Sequence, residues 1–128
     1  LLPGRQQLAG RLSSASSQIE GIRMEKVTVS VTPGICGLVC KVIATRKSKR
    51  VAAIEIIDSE CKMINALGAI LPEITLVDLF KPHTKNPIFK STEQAHCHLC
   101  CPVPIAIIKA SEVVLELALP QDVIIHFD

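Results

Sequence analysis

Glu25-Lys26-Val27-Thr28-Val29-Ser30-Val31-Thr32 alternates apolar and polar residues without a break. Val27, Val29 and Val31 fall on one face, and Lys26, Thr28 and Ser30 on the other, which is the period of a half-buried strand. Pro33-Gly34 ends the run, and Ile35-Cys36-Gly37 makes the turn. Residues 38–45 resume as a second strand with Cys40, Val42 and Ala44 on one side, where Cys40 reads as core filler beside Val42. Arg46-Lys47-Ser48-Lys49-Arg50 reads as a solvated hairpin tip. The β-rich stretch 51–57 is the third strand. Connections this short make the three strands an antiparallel meander. In such a meander Cys36 and Cys61, 25 positions apart, lie at one end of the sheet, and the tip at 46–50 lies at the other.

After the third strand, Asp58-Ser59-Glu60 offers a helix start with Asp58 or Ser59 as N-cap, which sets Cys61 in the first turn. Met63, Ile64, Leu67 and Ile70 continue at helical spacing until Pro72. Residues 72–95, interrupted by Pro82 and Pro87, read as an irregular segment long enough to cover a site. A second helix is expected from Pro102 to about Ala118, with Val103, Ile107, Ala110, Val114 and Leu117 on its apolar face. Pro120-Gln121-Asp122 then turns the chain into a last strand at 123–127. The order β-β-β-α-α-β predicts an α+β two-layer sandwich. Its sheet would be mostly antiparallel, of about four strands, with both helices on one face.

The chain has 128 residues, enough for one core, which we place in residues 24–128. Residues 1–23 carry Arg5, Arg11, Arg23 and four serines against a single acid, Glu20. They read as a disordered leader outside the fold: an upstream or non-native extension ahead of Met24, or an organelle transit peptide. A net charge of +2, three phenylalanines and neither tyrosine nor tryptophan argue against a nucleic-acid surface. Mean hydropathy is high at +0.40. Even so, no apolar run approaches the ~18 residues of a membrane span, so no membrane role is expected. There are six cysteines, no signal peptide with an apolar middle, and an adjacent Cys100-Cys101 pair poorly suited to disulfide pairing. We therefore expect reduced thiols in the cytoplasm, where clustered cysteines point to metal or catalysis.

Half of those cysteines fall in His96-Cys97-His98-Leu99-Cys100-Cys101-Pro102-Val103-Pro104. Proline suits a helix's first turn, so Cys101 is placed at or beside the N-cap, where the helix dipole eases ionisation of a thiol. One reading is a cysteine-ligated metal centre of Cys36, Cys61, Cys97 and either Cys100 or Cys101. Cys97-x-x-Cys100 is a half-site, but no second C-x-x-C completes a zinc ribbon, because Cys36 and Cys40 are separated by three residues. Ligands gathered irregularly from distant segments fit an iron–sulfur cluster better than zinc. His96 and His98 are candidate ligands, more often solvated or supporting.

A second reading starts from Cys101-Pro102-Val103-Pro104 and the helix and strand expected after it, a region that resembles the Cys-Pro-x-Pro helix start of the TusA-like sulfur carriers. The resemblance covers residues 101–127 and implies a persulfide on Cys101, handed on to a protein partner. A third reading is a structural or interaction domain whose thiols are buried filler. No Ser-His-Asp order, phosphate-cradling glycine loop or paired carboxylate frame is present. The metal centre, with a protein partner for redox or sulfur transfer, is the leading expectation.

Overall fold

The computed structural model describes residues 23–128. The leader reading of residues 1–23 thus lies, Arg23 apart, outside the described residues. Strands β1 (Lys26–Val31), β2 (Cys40–Ser48) and β3 (Val51–Ile57) form the expected antiparallel meander, and β4 (Glu73–Thr75) adds to β3. Helices α1 (Lys62–Ile70), α2 (Pro87–Gln94) and α3 (Val103–Val114) complete the fold, with 3₁₀ turns at Val77–Phe80 and His83–Lys85.

Register explains the single core. Val27, Ala44 and Ile54 align across three strands, as do Val29, Val42 and Ile56, and Val31 faces Cys40. Because side chains alternate, these residues share one sheet face. Leu67 of α1, Ile88 of α2 and Val103, Ile107 and Val114 of α3 pack onto it. The result is the predicted α+β class with a four-stranded antiparallel sheet.

Its details differ from the predicted order in three places. The fourth strand is β4, whereas residues 123–127 have no regular structure and are exposed. Local β propensity there has no partner strand to pair with among the described residues. A third helix, α2, occupies part of the stretch read as irregular. Asn86 is its N-cap, accepting the Ile88 N–H at 2.9 Å, and Pro87 sits in its first turn. Finally, α3 stops at Val114. Glu116 takes a left-handed φ of 63°, and the N–H groups of Glu116 and Leu117 donate to the carbonyls of Val113 and Glu112 (3.2 and 2.8 Å). That is a Schellman ending with glutamate where glycine is usual.

Arg46 also departs from the solvated tip expected of it. It pairs with Ala52 in register and so lies on the core face, with its side chain 8% exposed. Its Nη1 donates to the Val114 carbonyl at 3.1 Å and to Glu116 Oε2 at 2.6 Å. This contact fixes the direction of α3, which runs alongside β2 with its C-terminus at the hairpin end. Its N-terminus is therefore at the end of the sheet that holds Cys40.

A candidate four-thiol site

Four elements bring cysteines to that end. Cys40 opens β2 and is buried in the core opposite Val31. Cys61 is the N-cap residue of α1 in extended conformation, yet its side chain makes no capping bond. Ser59 shapes this corner, its Oγ accepting the Cys61 N–H at 3.2 Å while its carbonyl accepts Asn65 Nδ2 at 3.1 Å. The N-cap therefore falls two residues beyond Ser59.

Cys97 is set by the end of α2. His96 has a φ of 60°, its N–H donates to Glu93 O (3.0 Å), and the Cys97 N–H donates to Thr92 O (3.0 Å). This second Schellman ending gives His96 a backbone role. The Cys97 sulfur then lies 3.8 Å from the Met63 carbonyl in the first turn of α1. Cys101 immediately precedes Pro102, the N-cap residue of α3, and its N–H donates to His98 O at 3.1 Å.

Three of these thiols are shifted by burial and by neighbouring sulfurs. Burial pushes the Cys40 thiol up, and the Cys101 and Cys61 sulfurs push it further. Cys97 is raised by burial, then by the same two neighbours. Cys101 is also raised, chiefly by burial, against the Val103 N–H that favours its thiolate; Cys61, Cys36 and Cys100 add to the rise. The acidified Cys101 thiol expected from the sequence is therefore not found, because burial among other sulfurs outweighs one helix-end N–H.

Of the cysteines expected to act together, Cys61, Cys97 and Cys101 lie at the same end of the sheet, within electrostatic reach of one another. Cys36 and Cys100 are exposed and sit at the margin, within electrostatic reach of Cys101. Cys40 is buried as expected, and is in addition a neighbour of Cys61 and Cys101. Its strand-end position, in register with Val31 at the Cys36 end, was the available signal for this. All six cysteines are free thiols. Among the described residues, no three His, Cys, Asp or Glu side chains are grouped so as to hold a metal ion.

A cleft reaches two of the four thiols. The cleft, of about 390 Å³ between α2 and the start of α3, is lined by Cys97 and Cys101 together with Phe89, His98, Leu99 and Pro104. Among the described residues no helix is long and apolar enough to cross a membrane. No curated protein and no solved structure matches the chain. A family model does match, over residues 27–127, a span that contains every strand, helix and cysteine described above except Lys26, and the chain accordingly belongs to the family of unknown function DUF6951.

Proposed function

We propose that Cys40, Cys61, Cys97 and Cys101 are the ligands of an iron–sulfur cluster and that the protein works through this centre in a reducing, cytoplasmic setting. The observation that carries the reading is the convergence of four free thiols from four separate chain segments at one end of the sheet. Cysteine filler would need no such meeting.

Ligands spaced irregularly along the chain favour a cluster over zinc. Zinc–thiolate bonds of about 2.3 Å set four sulfurs roughly 3.8 Å apart around one ion, and among the described residues no three ligand side chains are grouped so as to hold a metal ion. A cluster spreads its ligated irons and accepts thiolates further apart. Raised thiol pKa values fit the same picture: the pocket stays neutral when empty and gives up protons when a cation arrives. The cleft beside Cys97 and Cys101 would admit iron and sulfide, or a protein partner that exchanges electrons.

Anaerobic purification with iron and sulfide supplied tests this directly. The expected product is brown, with iron and acid-labile sulfide in equal amounts. Cys61→Ser and Cys101→Ser should lose at least nine-tenths of the iron, whereas Cys36→Ser and Cys100→Ser keep it. A folded wild-type chain that stays colourless and iron-free defeats the proposal. A second reading, a persulfide carried on Cys101, is favoured by that residue's place on the cleft wall beside the Val103 N–H. It predicts one added sulfur on Cys101 by mass after incubation with a cysteine desulfurase, and no iron.

A further inference from the structure

β1 is an edge of the sheet: the strand order is β1-β2-β3-β4, and among the described residues only β2 pairs with it. Its hydrogen-bonding phase follows from one contact. Glu25 O accepts the Arg46 N–H at 2.7 Å, so the odd-numbered residues 25 to 31 point their backbone groups at β2. The N–H and C=O groups of Lys26, Thr28 and Ser30 therefore face outward, an open template for another strand. Val27 and Val29 face the core but are only half-buried, as expected where, among the described residues, no further strand lies beside β1.

The same chain carries a β-prone run that joins no sheet among the described residues. Val123-Ile124-Ile125-His126-Phe127 is the β-prone run expected to pair, yet all of it is exposed, Ile125 and Phe127 at 85% and 91%. It leaves α3 next to the open edge, since Leu117, Ala118, Leu119 and Pro120 line a pocket with Arg23, three residues before β1. It also lies within the region matched by the family, so the run is part of the domain. Among the described residues, each molecule thus holds one unfilled edge and one β-prone run without a partner strand, of nearly equal length.

We infer that residues 123–127 of one copy pair with the outer edge of β1 in a second copy, reciprocally, to form a two-fold dimer. Reciprocity matters for size. One five-residue strand is a small contact against the roughly 1,200 Å² at the lower end of stable interfaces, and a two-fold exchange doubles it. The same pairing covers Val27, Val29 and the exposed apolar side chains of the tail.

The test is molar mass by light scattering across a concentration series, with hydrogen exchange at Thr28 and Ser30. The wild-type chain should run at twice its chain mass with both amides protected. Ile125→Lys, Thr28→Pro and a chain ending after Pro120 should each weaken dimerisation at least tenfold and expose the Ser30 amide, and the Thr28 amide where the residue keeps one. Thr28→Pro removes only an outward N–H, and the tail changes alter exposed residues, so circular dichroism should be unchanged. A wild-type monomer at every concentration overturns the inference, including one whose own tail protects its β1. So does a dimer that survives all three changes.

Discussion

His96 occupies the left-handed position that ends α2, with a φ of 60° that is normally left to glycine. Its place beside Cys97, at the head of the His96-Cys97-His98 run, suggests a ligand, but its backbone is already committed, because it turns the chain so that Cys97 arrives over the start of α1. Left-handed backbone costs an ordinary residue about 1 kcal/mol. His96→Gly is therefore expected to raise stability by about 0.5–1 kcal/mol in chemical denaturation and, if the thiol site binds iron as proposed, to leave that binding intact. Loss of iron in that variant, with the fold retained, would make His96 a ligand after all.

Between β4 and α2 the chain is held by polar side chains instead of a ladder. Asp78 accepts hydrogen bonds from the Thr75 N–H at 2.9 Å and from Lys81 Nζ at 2.8 Å. Asn86 Nδ2 in turn donates to the carbonyls of Asp78 (2.8 Å) and Lys81 (3.3 Å) while its Oδ1 caps α2. Burial works to raise the Asp78 pKa, but the Lys81 and Thr75 hydrogen bonds outweigh it and leave the carboxyl below its ordinary value. A carboxylate with a depressed folded pKa adds stability above its unfolded pKa, and loses it as pH falls through the folded value. The wild-type chain should accordingly lose stability below about pH 4, the ordinary carboxylate pKa. In Asp78→Asn that acid loss should be smaller and the neutral-pH stability lower. Equal acid limbs in the two proteins would assign the loss to other groups.

That segment also shows where sequence legibility ended. β1 to β3 could be read because period-two alternation survives in each, and α1 because Ile64 and Leu67 recur on one face. α2 is short and mostly polar outside Ile88, so periodicity is faint; the Asn86-Pro87 cap was its usable signal. The ends of α2 and α3 were hidden for another reason, since histidine and glutamate stand where glycine would announce a stop. The meander correctly put Cys36 and Cys61 at one end of the sheet. Whether residues 97–101 join them depends on the direction of α3. Local pattern carries no information on that, and the Arg46 contact settles it only in three dimensions.

At the scale of the molecule, α3 is a strut about 18 Å long at 1.5 Å per residue, pinned under Arg46 at one end and leading from Cys101 at the other. Close-packed interiors transmit displacement, so slack at the pinned end is felt at the sulfur. Arg46→Ala removes a nearly buried guanidinium and strands the Val114 carbonyl, which should lower stability by about 1–3 kcal/mol. If the thiol site binds as proposed, the same variant should release iron to a chelator several-fold faster although it touches no cysteine, and Lys49→Ala in the nearby turn should not. A single arginine at the blunt end of the sheet would thereby act as a tensioner, making the grip of the far end depend on a residue that never meets what is gripped.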